Sequence, residues 1–286
     1  MVLDVGFDHV GFIVNDLAAG ANAWRALGFE LSPISPQMGL NATGEFEPWA
    51  TANQCAVFEN GYLELIGIHR PGCFNPWKRF LQRGDGAHIA AFRCDVADET
   101  YARLAELSAD FQPPVQRRRD APYWDEGKWS PREMRFRNIF SRDEQCREAR
   151  YIIIEHQTPD VLWQPHLTTQ PNAVTSLVSM SFVAADEPVH ERLALLGNAQ
   201  ANCFRCTRGG HVEHLTPKTW QTRFPGCGEP RLDAIGSCTV ATDNLDALRA
   251  RLDKNAVQYY HDADEQRLWI APAFANGTVI EFIPST

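Results

Sequence analysis

The chain has 286 residues, a hydrophobic content of 44% and a net charge of −9. This length fits two domains of about 140 residues each, and the apolar content is sufficient for buried cores. The acidic balance argues against a nucleic-acid partner, because binding to phosphates relies on basic surfaces. The sequence opens on no charged and apolar leader and has no membrane-length apolar run, so we expect a cytoplasmic protein without a membrane partner.

The cysteines and the basic residues give little indication of a catalytic or metal site. The eight cysteines are scattered and form no dense disulfide framework, which favours reduced thiols. Cys203 and Cys206 form one isolated C-x-x-C, with no second pair at zinc spacing, so a metal or redox role is not favoured. Arg117-Arg118-Arg119 is the single dense basic cluster. It has two interpretations, a solvated loop or a clamp for an anionic substrate.

The first unit of the chain reads as a strand, a helix and three strands. Asp16 is the predicted N-cap of the helix, and Gly28 is predicted to end it in the left-handed region. A Gly-, Pro- and Asn-rich passage at 33–53 is expected to be mainly loop. The predicted elements are a strand at 8–14, a helix at 17–27, and extended segments at 29–31, 54–58 and 62–68.

A second unit repeats this order after a connector with a short helical piece at 77–82. It carries a long insertion at 112–133 that contains Tyr123, Trp124 and Trp129. A long aromatic loop beside a site is typical of a lid or specificity element, and a plain surface loop is equally compatible with the pattern. The predicted elements are a strand at 87–94, a helix at 99–108, and strands at 135–140 and 151–155.

Two further units follow a Pro- and Thr-rich linker at 157–172. Their predicted elements are strands at 177–183, 201–205 and 210–215 with a helix at 188–196, and then strands at 235–240, 258–260, 267–270 and 278–283 with a helix at 244–254.

The four units share landmarks that indicate internal duplication. An Asp follows each opening strand, and a Glu lies in each closing strand; these residues are Asp16, Asp95, Asp186 and Asp243, and Glu64, Glu155, Glu213 and Glu281. The pentapeptide Glu-His-x-Thr-Pro occurs at 155–159 and again at 213–217. We therefore predict an α+β fold of four βαβββ modules, whose curved sheets enclose a cup. The modules cover 1–69, 85–160, 173–227 and 229–286, in two domains at 1–160 and 173–286.

Matched positions of the first two modules predict a metal site. His9 and His88 each lie seven residues before the module's Asp, and Glu64 and Glu155 lie in the closing strands. Two imidazoles and two carboxylates on rigid strands suit one divalent transition metal, namely Zn, Ni, Co, Mn or Fe(II). Because neighbouring strand residues face opposite sides, only one of Glu155 and His156 can enter the cup; we favour Glu155 and keep His156 as the alternative.

The C-terminal pair of modules lacks both histidines. It keeps the two glutamates at the matched positions, where the first strands offer Ser179 and Gly236-Ser237 instead of His. We interpret this half as structural, or as a binding wall.

This arrangement resembles the vicinal oxygen chelate superfamily, and the wording of several segments resembles its glyoxalase-like domain proteins. The segments are Leu3-Asp-Val-Gly-Phe-Asp-His-Val-Gly, Ala50-Thr-Ala-Asn-Gln-Cys, Gly61-Tyr-Leu-Glu-Leu-Ile, Gly86-Ala-His-Ile-Ala-Ala-Phe and Glu155-His-Gln-Thr-Pro-Asp-Val-Leu-Trp. The superfamily is built of paired βαβββ modules around a metal. The resemblance implies that its ligand positions, the first-strand His and last-strand Glu of each module, carry over to His9, Glu64, His88 and Glu155.

Three functions remain open at this point. The first is a metal-dependent glyoxalase-like lyase or isomerase, in which the metal holds two adjacent substrate oxygens and Glu64 or Glu155 moves a proton. The second is a non-haem Fe(II) ring-cleaving dioxygenase that uses His9, His88 and Glu155. The third is a binding protein that sequesters a small molecule without turnover. Asn53, Tyr123, Trp124 and Trp129 are candidate substrate contacts, and pairing of modules within one chain or across a homodimer stays open.

Overall fold

Two eight-stranded sheets carry the fold. The structure is a computed structural model that describes residues 2–184, 187–262, 264 and 266–285. The first sheet contains β1 (Gly6–Val14), β2 (Ser35–Leu40), β3 (Phe46–Val57), β4 (Tyr62–Ile68), β5 (Gly86–Arg93), β6 (Val115–Asp125), β7 (Lys128–Phe140) and β8 (Arg150–His156). The second contains β9 (Val174–Val183), β10 (Asn198–Gln200), β11 (Cys203–Arg205), β12 (His211–Leu215), β13 (Ala234–Thr242), β14 (Tyr260–Asp262), β15 (Arg267–Ile270) and β16 (Val279–Pro284).

Seven helices connect and cover these strands within the described residues. They are α1 (Leu17–Ala26), α2 (Lys78–Leu81), α3 (Ala97–Leu107), α4 (Pro165–Thr168), α5 (Glu187–Leu196), α6 (Pro217–Arg223) and α7 (Leu245–Lys254). In the described part of the chain, no helix is both long and apolar enough to cross a membrane.

Both sheets have the same topology. The first has the strand order β2-β3-β4-β1-β5-β8-β7-β6, and the second has β10-β11-β12-β9-β13-β16-β15-β14. In each, the opening strands of two modules meet antiparallel at the centre, and each runs parallel to the closing strand of its own module. The predicted α+β fold of curved sheets is therefore confirmed.

Local signals explain where the helices begin and end. The Asp16 side chain accepts a hydrogen bond from the backbone N–H of Ala19 at 3.0 Å and so caps α1, as predicted. Gly28 follows α1 with φ +87°, a conformation that a side chain would strain. At α3 the N-cap position is held by Val96, which has no side-chain acceptor to offer.

The sheet faces that point away from the cups share one core with the helices. This core runs through both halves of the chain and includes Phe12, Phe92, Met180 and Phe282. The rings of Tyr151 and Phe182 stack across the two halves with centroids 5.7 Å apart. On its other face, the first sheet has a separate apolar cluster that includes five isoleucines, Ile13, Ile66, Ile89, Ile152 and Ile154. That cluster forms the floor of the first cup.

Two segments predicted as loop are strands instead. The passage at 33–53 forms β2 and most of β3, and the insertion at 112–133 forms β6 and the start of β7. The β6–β7 hairpin pairs over eleven residue pairs, from Val115 with Asn138 to Asp125 with Lys128. The sequence of this hairpin has no clear alternation of apolar and polar residues, since both of its faces carry polar side chains, and strands were therefore not predicted here. The predicted landmark Asp186 lies outside the described residues.

Candidate active site

The first cup encloses a cavity of about 940 Å³. Its walls come from nearly every strand of the first sheet, so the cavity follows directly from the curvature of that sheet. One group of polar lining residues lies on β1, β3, β4 and β8; it is His9, Asn53, Glu64 and His156. The rest of the wall combines further polar residues, many of them on β6, with apolar ones that include Trp49, Trp77, Ile89, Phe136, Phe140 and Ile152.

His9 is buried in the wall of this cavity. Its side chain lies on β1 with 2% of its surface exposed, and its Nδ1 is 2.8 Å from the Asp8 carboxylate. The other ring nitrogen, Nε2, has no hydrogen-bond partner among the described residues and lies 3.6 Å from Oε2 of Glu64. The Tyr62 ring stacks on the imidazole at 4.3 Å and so fixes its plane.

Asp8 orients two histidines at once. The carboxylate is fully buried, and its second oxygen is 3.1 Å from Nε2 of His156. Burial alone would raise the pKa of Asp8, but the contacts with His156 and His9 hold it well below its usual range. Asp8 is therefore a fixed anion between two imidazoles, and the Asp8 contact leaves Nε2 of His9 as the cavity-facing nitrogen.

Glu64 is held by Asn53. The Asn53 amide donates to Oε1 of Glu64 at 2.5 Å, which leaves Oε2 directed towards His9. Burial and the nearby Glu64 carboxylate raise the pKa of the Cys55 thiol, and burial with the Asp8 and Glu64 charges raises that of Tyr62. Both groups therefore stay protonated near neutral pH.

His88 does not share the position of His9. On β1, Phe7 pairs with Phe92 and His9 with Ala91, so Asp8 is an extra, bulged residue. On β5, the bulged residue is His88, because Gly11 pairs with Ile89 and Phe12 with Ala87. The two bulges correspond, so the module equivalents are Asp8 with His88 and His9 with Ile89. The predicted alignment is therefore displaced by one residue, and Ile89, not His88, holds the position that matches His9.

The surroundings of His88 are structural. Its Nε2 contacts the Gly84 carbonyl at 2.9 Å, and its ring packs on Phe80 with centroids 5.3 Å apart. Burial lowers the pKa of His88 to about 4, and the positive charges of Arg231, Arg83 and Arg79 act in the same direction, although the Gly84 hydrogen bond opposes them. The ring is therefore neutral at pH 7.

Glu155 also stays outside the cup, contrary to the prediction. Its Oε2 accepts a hydrogen bond from the backbone N–H of Ala97 at 2.8 Å, at the start of α3. The glutamate supplies the cap that Val96 cannot give. The alternative residue, His156, faces the cavity, as strand alternation requires once Ile152 and Ile154 lie on the floor.

The positions of the second module that match His9 and Glu64 hold no metal ligands. On the parallel strand pairs, Glu64 lies beside Gly11 and Ile152 lies beside Ala91, so Ile152 is the equivalent of Glu64. The four predicted ligands are thus not brought together. Across the described residues, no three His, Cys, Asp or Glu side chains are grouped so that they could hold a metal ion. This donor set does not fit the divalent metal that the resemblance implies.

The four predicted substrate contacts lie in two separate places. Asn53 lies in the cavity wall, whereas Trp124 and Trp129 contact each other at the tip of the β6–β7 hairpin with centroids 5.2 Å apart. Tyr123 lies under the guanidinium of Arg132, also in that hairpin. The hairpin reaches the cavity through its base instead, where Arg117, Arg119, Met134 and Phe136 line the wall.

The second cup is filled by an arginine. Glu213 and Glu281 occupy the positions equivalent to Glu64, beside Ser181 and Thr239. Arg223 of α6 donates to both carboxylates, at 2.6 and 2.7 Å. Thr239 and Arg267 add further hydrogen bonds to Glu281, which is fully buried. These contacts neutralise the paired glutamates internally.

Comparison with known families agrees with this architecture. A family model described as a glyoxalase-like domain matches residues 7–197, about two thirds of the chain. The chain belongs to the glyoxalase-like domain family. A search of curated proteins found no match.

Solved structures show the same fold as this glyoxalase-like protein at low identity. A hypothetical protein from Staphylococcus aureus matches with a TM-score of 0.57 and 10% identity, over 98% of this chain and 100% of that one. A triple mutant of 4-hydroxymandelate synthase from Streptomyces coelicolor matches with a TM-score of 0.55 and 11% identity, over 98% and 92%. A fusion of a xylose isomerase-like TIM barrel with 4-hydroxyphenylpyruvate dioxygenase gives 0.52 and 13%, over 98% and 49%.

Sequence reasoning missed three residues of this glyoxalase-like site. Asp8 directly precedes His9 and therefore looks outward-facing until the bulge brings both side chains to one side. Tyr62 occupies an alternating apolar strand and looks like core. Arg119 was recognised only as part of a basic cluster, and period-two alternation along 115–121 is the signal that separates its face from that of Arg118.

Proposed function

We propose that the protein is a lyase or isomerase of the glyoxalase-like type that moves a proton on a small substrate held in the first cup. The observation that carries this proposal is the unpartnered Nε2 of His9, seen within the described residues. It is buried, faces the cavity and lies beside a second acid–base group, Glu64, at 3.6 Å. Two such groups side by side suit removal of a proton from one substrate atom and its return to another.

His9 is the proposed base. In the tautomer in which Nδ1–H donates to Asp8, Nε2 carries the lone pair that accepts the substrate proton. The Asp8 charge then stabilises the imidazolium that forms, without moving itself. Tyr62, stacked on the ring, keeps Nε2 directed into the cavity.

Glu64 is the proposed second proton carrier. The Asn53 amide occupies one of its oxygens, so the other oxygen is the one available to substrate. Asn53 thereby acts as a positioning residue. Ile89 and Ile152 form the opposite wall, which excludes water from the reacting atoms and strengthens electrostatic interactions there.

Metal dependence is the part of the prediction that the donor set supports least. His9 and Glu64 provide two ligands, and Nε2 of the alternative residue, His156, is 3.1 Å from Asp8, whereas a catalytic zinc or non-haem iron site takes three ligands. No step is therefore assigned to a metal. The dioxygenase alternative needs that third ligand as well, and the similarity to dioxygenase structures supports the fold alone.

Proton exchange in heavy water tests the proposal without knowledge of the substrate. Phenylacetone and phenylpyruvate carry exchangeable C–H groups beside a carbonyl, and NMR follows deuterium entry at that carbon. We expect exchange that falls at least about a hundredfold in His9→Asn. Glu155→Gln is the matched control, because Glu155 lies outside the cup.

Metal and chelator arms accompany this assay. Exchange that persists in chelator supports the proposal as stated, whereas exchange only after addition of a divalent metal supports the metal-dependent form. Exchange equal in the wild type and His9→Asn would refute His9 as the base. Binding of either probe without exchange would support the sequestering protein instead.

A further inference from the structure

The β6 strand presents two arginines to the cavity. Arg117 pairs with Phe136 and Arg119 with Met134, both of which line the cup, so alternation directs these two arginines to the cavity side. Arg118 borders the same mouth, but its side chain is 78% exposed and its guanidinium lies 4.0 Å from Glu133. Arg119 is half-buried, and Arg117 is solvent-exposed at the mouth but lies on the cavity side of the strand, unlike Arg118.

Neither cavity-facing arginine has a carboxylate within 4.0 Å in the part of the chain that the structure describes. Arg119 donates to the Ser35 hydroxyl, and Arg117 lies over the Phe140 ring at 5.8 Å. By contrast, Arg150 at the other end of the cavity is neutralised by Asp143 at 2.5 Å. The pair keeps charge and hydrogen-bond donors that a bound anion would satisfy.

The carboxylates that line the cavity do not cancel this charge. Glu64 is engaged by Asn53 and lies beside His9, and Asp143 is engaged by Arg79 and Arg150. Asp120 and Glu144 also border the cavity, and both are solvent-exposed. Among the described arginines that line the cavity, Arg117 and Arg119 are therefore the two without a carboxylate within 4.0 Å.

Aromatic and sulfur-containing side chains form much of the cavity wall, namely Met38, Trp49, Trp77, Met134, Phe136 and Phe140. A volume of about 940 Å³ holds a molecule of two or more rings. The pKa values of Tyr62 and Cys55 are raised by burial and nearby carboxylates, and the charge of Arg119 partly opposes this rise, so Arg119 lies near these residues.

We infer that the ligand of this cup is a flat, apolar monocarboxylate. Its carboxylate binds Arg117 and Arg119, and its aromatic body extends along the apolar wall towards His9. This inference names the substrate class of the proposed function. It depends on that function in one respect, namely that the end of the ligand near His9 is the end that reacts. Binding itself requires neither His9 nor turnover.

A matched pair of probes tests the inference with the full chain. Naphthoate and naphthylmethanol have the same ring system and differ in the negative charge, and both can be titrated by tryptophan fluorescence with calorimetry as a second readout. We expect naphthoate to bind at least about tenfold more tightly, because its carboxylate accepts charge-assisted hydrogen bonds from the two guanidinium groups. The preference is expected to shrink as salt is added.

Variants locate the carboxylate. Arg117→Met and Arg119→Met are each expected to weaken naphthoate binding about tenfold and to leave naphthylmethanol unchanged. Arg135→Met on the outer face of the same hairpin is the matched control, and thermal unfolding checks the fold of every variant. Arg119→Lys is expected to recover part of the loss.

Two outcomes would overturn the inference. One is equal affinity of the wild type for both probes, and the other is a naphthoate preference that survives in both Arg117→Met and Arg119→Met. His9→Asn separates this inference from the proposed function. If naphthoate binds that variant normally while proton exchange is absent in the wild type, the anion site stands and the assignment of His9 as base fails.

Discussion

The two cups of this molecule have the same strand order, but buried carboxylates are neutralised by an arginine in only the second cup. In the second cup, Glu213 and Glu281 face each other and Arg223 neutralises both. In the first cup, Ile152 holds the position that matches Glu64. The Glu64 carboxylate contacts Asn53 and lies near His9, and both Glu64 and His9 line an open cavity. A cup closed by its own arginine is stabilised by that contact, whereas a cup with an unpartnered base can act on a ligand. The comparison teaches that chemistry in this fold depends on which module pair keeps its charges unsatisfied.

Arg223→Met would break the closure of the second cup and has the largest expected effect. Removal of one partner leaves Glu213 and the fully buried Glu281 without their shared counterion, so we expect a loss of roughly 3 kcal/mol or more in the free energy of unfolding. Urea denaturation measures it. The double variant Arg223→Met with Glu281→Gln should regain part of the loss, and an unchanged midpoint in the single variant would show that the arginine contributes no net stability.

Acidification tests the placement of His88 outside the first cup. The folded pKa of about 4 lies below the ordinary histidine pKa of about 6.5, so between these values the unfolded chain binds a proton that the folded chain does not. The free energy of unfolding therefore decreases as pH falls through this window, by up to about 3 kcal/mol from this ring. Urea midpoints across the window measure this, and His88→Gln should have a flatter profile. A variant as steep as the wild type would contradict the assignment.

Asp8→Asn sharpens the role of the anion between the two histidines. The substitution keeps the shape but removes the charge that orients His9 and His156. We expect proton exchange on phenylacetone to fall about tenfold to a hundredfold, because the ring loses its fixed tautomer and the imidazolium its counterion. NMR of the ring nitrogens reports the tautomer directly. A variant with the wild-type tautomer and rate would remove Asp8 from the proposed mechanism.

Glu155→Gln has the smallest expected effect and separates the predicted ligand set from the observed geometry. The Gln oxygen can still accept from the N–H of Ala97, so we expect stability to change by less than about 1 kcal/mol. Proton exchange and naphthoate affinity should match those of the wild type. A large loss of exchange with intact folding would mean that Glu155 acts in the first cup after all.

The sequence predicted the architecture well because its signals are local. Strand alternation, the cap at Asp16 and the left-handed Gly28 each depend on a few neighbouring residues. The site was harder to predict, because it depends on register between strands that are distant in sequence. His9 and Glu64 were identified and do meet, but His88 was aligned through Asp95, whereas α3 begins at Ala97 with Val96 at the cap position. That shift of one residue is invisible without the paired strands.

Glu155 illustrates a second limit of sequence reasoning. A glutamate in a closing strand looks the same whether it faces a cup or caps a helix, and the missing cap at Val96 is the signal that distinguishes the two. The β6 strand was missed for a related reason. A run of arginines indicates solvent, and only the pairing with Met134 and Phe136 reveals which of them face inwards.

The hydrogen bond from Arg119 to Ser35 joins β6 to β2, the first and last strands of the first sheet. Among the strand pairs of the described chain, β2 and β6 share no backbone ladder, so this side-chain hydrogen bond crosses the mouth between two unpaired sheet edges. Loss of this hydrogen bond from a charged guanidinium would cost about 1.5–3 kcal/mol and would leave every backbone hydrogen bond of the sheet in place. In a closed barrel, widening of the mouth by the same amount would break several backbone hydrogen bonds between the edge strands.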